Sequence, residues 1–446
     1  MKLYRYLLSL VLTLAFFATC PLLADEQDNS RFDEELNERD FDALRDFLRE
    51  RRAIEAEPCA NLNISGDVRT EWRHLNETCC GQRLRGHGTV GINGRPVSRN
   101  DFDIEFNLRF DYIADRTWAV AQIRYDNSAG VDDNGHPCIF TKDNGKNCSP
   151  CCLDKARQCI GDPEGYHGSG NCSDLCLKKS YMGGEIYSDD CSRFIVELGR
   201  RGNLYNVFES NVQFLSRFDG LLLKYENTWE CVADWYVQAA GFLVDERVNH
   251  FAWIVETGLL DIFDSNVDLK YSFIDWEKHG INRCFVRNPR GFRFINSQVT
   301  LAYNVPVEVL SMPARFYTAF IYNHAARNLR FIHKKKNIAW YAGVLLGDVV
   351  KEGDWALEIQ YQVVQAQAMP DDDMGGIGRG NILDESFTSC SRRGNTNFRG
   401  WRFEGLYAFT DNMTLDTILE WSKADDSRIG GSHTYSKFEM EAIYAF

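Results

Sequence analysis

From Leu62 to Phe446, apolar and polar side chains alternate with a period of two, the spacing that sends successive side chains to opposite faces of a β-strand. Ile64, Gly66, Val68, Thr70 and Trp72 interleave with Ser65, Asp67, Arg69, Glu71 and Arg73. Phe102, Ile104, Phe106, Leu108, Phe110 and Tyr112 interleave with Asp103, Glu105, Asn107, Arg109 and Asp111, and Trp355, Leu357, Ile359, Tyr361 and Val363 with Ala356, Glu358, Gln360 and Gln362. The chain stops in the same rhythm: Phe438, Met440, Ala442, Tyr444 and Phe446 on one side, Lys437, Glu439, Glu441, Ile443 and Ala445 on the other. A soluble sandwich also alternates, but its inner face lines a dry core and its strands are often shorter. Here the apolar faces end in aromatics (Trp72, Tyr112, Trp355, Trp401) and the opposite faces are charged. That is the pattern of aromatic girdles at two membrane interfaces around a wet interior.

Turns of a few residues (114–116, 188–191, 410–413) are interleaved with long polar segments at 76–100, 127–176, 200–217, 276–291, 325–336, 365–398 and 425–433. Counting strands between them predicts an all-β chain, a transmembrane antiparallel β-barrel of about sixteen strands with both ends on one side. The stretch 200–235 has two readings, because Asn211 to Phe218 could form a strand of its own. A barrel of this width is not filled by its side chains and holds an aqueous channel. Charged residues on the inner face are tolerated in water and costly in a dry core. Arg69, Glu71, Arg73, Glu105, Arg109, Glu358, Asp416, Glu420 and Glu439 are therefore the candidate channel lining, with both signs close enough to set up a transverse field. The last strand resembles the closing strand of bacterial outer-membrane barrels, which the assembly machinery reads as an address.

Two segments precede the alternation. Residues 1–24 have the form of an export signal: Lys2 and Arg5, an apolar stretch from Leu7 to Phe17, and a cut after Ala24. A rival cut before Cys20 would make a lipoprotein. Residues 25–61 are expected to be periplasmic and to carry a short helix: Asp40 caps it, Phe41, Leu44 and Leu48 form its apolar stripe, and Arg49, Arg51 and Arg52 sit at its C-terminal end. It could pack on the barrel rim, or serve as a plug or trimer-forming coil. The barrel is expected to occupy 62–446. The formal net charge of −14 disfavours nucleic acid and anionic lipid surfaces as partners. A mean hydropathy of −0.37 hides the membrane reading, because only alternate strand residues need be apolar.

The run Gly199-Arg200-Arg201-Gly202-Asn203-Leu204-Tyr205-Asn206-Val207-Phe208-Glu209, followed by Arg217-Phe218-Asp219-Gly220-Leu221, resembles general porins, in which a long third loop folds into the channel. The resemblance implies that Arg200, Arg201 and Glu209 belong to a constriction; an outward loop with solvated arginines is the competing reading.

Of fifteen cysteines, fourteen remain once Cys20 leaves with the signal. Export favours their oxidation. In the sixteen-strand topology Cys79, Cys80, Cys138, Cys148, Cys151, Cys152, Cys159, Cys172, Cys176, Cys284 and Cys390 fall on external loops, and Cys59, Cys191 and Cys231 on the periplasmic side. Both sets are odd, so each side would leave a thiol for a disulfide to another envelope protein, unless one cysteine lies on the other side. A zinc site at Cys148, Cys151, Cys172 and Cys176 is the weaker reading. Together with the first strand from Asn63 to Trp72, the Gly199-Arg200-Arg201 loop, Ser216-Arg217-Phe218-Asp219-Gly220 and Phe446, these cysteines give a chain that resembles the cysteine-rich porins of the chlamydial outer envelope. The resemblance implies a pore for small hydrophilic solutes, set in outer-membrane lipid, with a homotrimer as the expected assembly. No nucleotide loop, zinc-protease motif or serine-hydrolase elbow occurs, and Gly375 to Gly380 lies in a loop. Neither an enzyme nor a cofactor is expected. The alternative is a structural or adhesive protein whose barrel anchors cross-linked loops.

Overall fold

The computed structural model describes residues 61–83, 99–126, 175–189, 191–203, 209–213, 217–229, 232–245, 250–278, 293–329, 332–370, 376–377, 381–382, 393–394, 396–429 and 431–446. Within them lie sixteen long strands. In chain order these are β1 (Leu62–Cys79), β2 (Asn100–Ala114), β3 (Thr117–Asp126), β4 (Leu175–Ser188), β5 (Ser192–Asn203), β6 (Arg217–Trp229), β7 (Ala233–Asp245) and β8 (His250–Leu260). They continue with β9 (Val267–Lys278), β10 (Ile295–Val305), β11 (Ala314–Asn323), β12 (Ile338–Asp348), β13 (Trp355–Val364), β14 (Phe398–Thr410), β15 (Met413–Ala424) and β16 (His433–Ala445). Every strand pairs antiparallel with its neighbours in sequence, and β1 pairs with both β2 and β16, which closes the sheet into a barrel. The two-residue strand Gln82–Arg83 folds back on the end of β1.

Closure is a register fixed at both ends. Asp67 faces Ala445 and Cys79 faces His433 across the β1–β16 seam. Beyond the last strand residue, the Phe446 amide donates to the Gly66 carbonyl and the Gly66 amide to the Phe446 carbonyl, each at 2.9 Å. A Cβ at Gly66 would stand 2.7 Å from both the Asn107 carbonyl oxygen and the Phe446 ring, so the seam requires glycine there.

The alternation maps onto the two faces as the sequence predicts. Leu62, Ile64, Val68 and Trp72 are exposed on the outside of β1, while Ser65, Asp67, Arg69 and Arg73 are buried on the inside. The outside is apolar all round, with Trp253 50 %, Phe320 49 % and Trp401 48 % exposed. Its aromatics touch from strand to strand: Trp340 to Tyr361 at 5.6 Å, Tyr361 to Trp401 at 4.8 Å, Phe403 to Trp421 at 5.6 Å, and Trp72 to Phe438 at 5.6 Å. Such cross-strand aromatic contacts each add up to about 1 kcal/mol to pairing. Near the short-turn end a second set, including Tyr112, Tyr187, Trp355, Tyr407 and Tyr444, is also exposed.

One end of the barrel has short connections and the other has most of the long ones; the exception is the connection between β7 and β8, which is short in sequence. Of the segment from Asn211 to Phe218, the described residues 211–213 lie in the lumen and β6 starts at Arg217. The signal and helix expected in 1–61 lie outside the described residues, apart from Asn61.

At the short-turn end, Asp189 ties the β4–β5 turn. Its carboxylate accepts from the Tyr187 hydroxyl, the Ser192 hydroxyl (2.8 Å) and amide (2.7 Å), and the Cys191 amide (3.0 Å). These bonds, the Tyr187 bond first, hold its pKa down at about 2. A depressed carboxylate stabilises the turn fully above the ordinary value of about 3.9 and loses that contribution as pH falls through the folded value. Protection of the Ser192 amide from hydrogen exchange is therefore expected to persist to pH ~3 and fall towards pH ~2. In Asp189→Ala it should be low throughout; an unchanged acid profile in that variant would refute the tie.

Candidate functional site

Every candidate lining residue sits on the inward face. Arg69 reaches Asp67 at 2.7 Å, Glu441 at 3.3 Å and Glu105 at 3.8 Å. Arg73 pairs with Glu71 at 2.7 Å and with Asp103. Glu105 also holds Arg124 at 2.6 Å, and Arg109 grips Asp111 at 2.7 Å. On the next strands round the ring, Lys437 lies 3.0 Å from Glu439 and 3.6 Å from Glu420, and Arg402 lies 2.6 Å from Glu404 and 3.7 Å from Glu420. Glu358 accepts from the Tyr317 hydroxyl, and Asp416 is buried on the same face. The pairs join into a belt because period-two strands in register stack inward positions side by side.

The described part of the connection between β5 and β6, residues 209–213, lies in the lumen. Ser210, Asn211, Val212 and Gln213 are buried, and they rest not on their own strands but on the wall from β8 to β12. Glu209 is the main anchor. Its carboxylate meets Lys270 on β9 and Arg315 on β11, the latter at 3.0 Å. Its amide donates to Glu256 at 3.2 Å, and its carbonyl accepts from Gln298. Asn296 donates to the Gln213 side chain at 3.1 Å, and Asn211 donates to the Tyr317 hydroxyl at 3.5 Å. From the connection after β13, Gly376 and Ile377 come in to meet this segment. The Ile377 amide donates to Gln362 at 2.9 Å, and a Cβ on Gly376 would fall 3.2 Å from Val212.

The three expected constriction residues separate. Glu209 is in the lumen. Arg201 is on the inward face of β5, bound to Glu197 with its guanidinium 5.0 Å from the Tyr181 ring. Arg200 is on the outward face, paired to Asp219 at 2.5 Å beside the exposed Leu198 and Leu221. Two adjacent strand residues cannot share a face, and this parity separates the two arginines. The wall residues that receive the loop (Lys270, Arg315, Gln298, Tyr317) are absent from the sequence-derived set. Their inward parity is readable from the alternation, but their meeting with Glu209 is not.

At the long-loop mouth the inner wall turns apolar. Phe242, Ile254, Ile274 and Trp276 are covered by Leu329, Ile332, Ala366 and Ile429 from three connections. Polar side chains lock these together. Asn323 donates to the Gln367 carbonyl at 2.7 Å, Asn397 to the Asp426 carbonyl at 3.1 Å, and Lys336 bonds Asp426 at 3.1 Å and Asp425 at 3.4 Å. Lys336 is thus part of a folded cap, whereas Lys334 and Lys335 are exposed. The hydrogen bond from Arg428 keeps the Asp426 carboxyl well below the usual carboxylate range, so the cap stays tied in acid.

Of the cysteines, Cys79 ends β1, Cys80 follows it in an exposed turn, Cys176 starts β4 and Cys191 lies in the short β4–β5 turn. Cys59, Cys138, Cys148, Cys151, Cys152, Cys159, Cys172, Cys231, Cys284 and Cys390 lie outside the described residues.

No family model and no curated protein matches the chain. Solved structures do resemble it. A mutant of the porin of Rhodopseudomonas blastica aligns at 8 % identity with a TM-score of 0.42, covering 86 % of this chain and 100 % of that one. OprB of Pseudomonas putida, in its high-pH structure, aligns at 8 % identity with a TM-score of 0.48, covering 86 % of this chain and 94 % of that one.

Proposed function

We propose that the protein is an outer-membrane pore for passive diffusion of small hydrophilic solutes. The observation that carries this reading is the inversion of the two faces. A closed barrel with an apolar, aromatic outside and an ion-paired inside matches lipid around and water within. Soluble monomers rarely expose contiguous apolar patches larger than a few hundred Å², whereas this outside carries exposed large apolar side chains on strand after strand. Closure satisfies the backbone of every strand, which is what allows a sheet to cross a bilayer. Arg69, Glu71, Arg73, Glu105, Arg109, Glu358, Asp416, Glu420 and Glu439 line the path, and the Glu209 segment narrows it. Residues 1–24 direct export. A homotrimer in the outer membrane, and disulfides from external cysteines to other envelope proteins, complete the reading.

Planar-bilayer recording from refolded protein tests it. Discrete, stable conductance steps are expected. A heat-modifiable, folded barrel that never conducts would leave the anchoring role, with the barrel carrying cross-linked loops, as the function.

A further inference from the structure

We infer that this pore passes small cations in preference to anions, and that the wall from β13 through β16 to β1 sets that preference; the inference rests on the pore reading above. On this arc the bases are shared. Arg402 serves Glu404 and Glu420, Lys437 serves Glu420 and Glu439, Arg73 serves Glu71 and, on the neighbouring β2, Asp103, and Arg69 serves Asp67 and Glu441 and reaches Glu105 on β2, which Arg124 and Lys178 also hold. Glu358 and Asp416 stand on the same face. When one guanidinium or ammonium is divided between two or three carboxylates, the wall keeps a negative surplus.

The rest of the described lumen does not offset it. Glu185 pairs with both Arg193 and Arg116, Glu197 with Arg201, and Glu226 with Lys224, so acid and base are close to balance there. The two bases that would otherwise face the lumen from the opposite wall, Lys270 and Arg315, are covered by Glu209. The inserted segment therefore removes positive potential from its side of the channel instead of adding a charge that faces open water. A channel with low-dielectric walls focuses such a surplus along its axis, concentrating mobile ions of the opposite sign. The solutes favoured are inorganic monovalent cations and small amines.

Reversal potentials in a KCl gradient read the preference directly. The wild-type channel is expected to pass K⁺ several-fold better than Cl⁻ at low salt, with the ratio falling as ionic strength rises and the Debye length shrinks. The double variant Glu420→Gln with Glu439→Gln should bring the ratio close to one. If the double variant does not fold, the salt dependence of the wild-type ratio decides alone. Conducting channels with a ratio at or below one, a ratio that ignores salt, or a folded double variant with the wild-type ratio would each overturn the inference while leaving the pore intact. Absence of any conductance would instead remove the pore reading itself.

Discussion

Refolding of a chain that lacks Phe446 is expected to give little heat-modifiable barrel. The seam between β1 and β16 is the one place where strands far apart in sequence must find each other, and its last two hydrogen bonds are the reciprocal pair between Gly66 and Phe446. Without Phe446, two backbone groups of Gly66 lose their partners on a surface that faces lipid, where each unsatisfied group costs several kcal/mol. The aromatic ring is lost as well; it packs over Gly66, where no side chain could fit. Gly66→Leu should be as damaging, because the new Cβ meets the Asn107 carbonyl, a backbone atom that cannot swing aside. Gly405→Ala is the control, since a Cβ there meets nothing within 4 Å. Cold-lane gel migration after refolding measures all three. If Gly66→Leu or the chain without Phe446 folds as well as Gly405→Ala, the seam does not depend on this contact.

The second large effect is expected at Glu209. Glu209→Gln keeps the shape of the side chain but leaves Lys270 and Arg315, whose side chains are 3 % and 7 % exposed, without their shared counter-charge. Breaking a buried pair on one side costs about 3–5 kcal/mol. The cost here falls on the docked segment, because the strands carrying both bases are held by their own ladders. The segment should detach before the barrel does. Single-channel conductance should rise, open-channel noise should increase, and the global unfolding midpoint should move little. Conductance and noise indistinguishable from wild type would mean that the Gln298, Asn296 and Gly376 contacts hold the segment without Glu209.

Much of the fold is legible in the residues themselves. A strand with one face in lipid and one in water has no freedom in parity: shifting by one residue would put Arg69 outside and Trp72 inside. That is why Ile64 to Trp72, Phe102 to Tyr112 and Phe438 to Phe446 predict their faces correctly, and why the nine candidate lining residues all prove to be inward. Arg200 and Arg201 show the limit of motif resemblance. A Gly-Arg-Arg string marks the end of a strand, but only the parity of β5, set by Glu197 inward and Leu198 outward, separates the arginine in the lumen from the one outside.

The alternation by itself determined the class of fold, the face of each strand and the chemistry of both surfaces, because period two is a local property with one solution per strand. The closing pattern at Phe446 likewise marks an edge that needs a partner. Tertiary structure alone decided which loop enters the lumen, where it docks, and that Lys270 and Arg315 are covered by Glu209 while Arg402, Lys437, Arg73 and Arg69 are shared. These depend on contacts between residues far apart in the chain, up to 372 positions for Arg69 and Glu441, which meet only because β1 pairs with β16. Spacing along the chain carries no information about a contact made across open lumen, so the charge balance of the channel becomes readable only once the ring is closed.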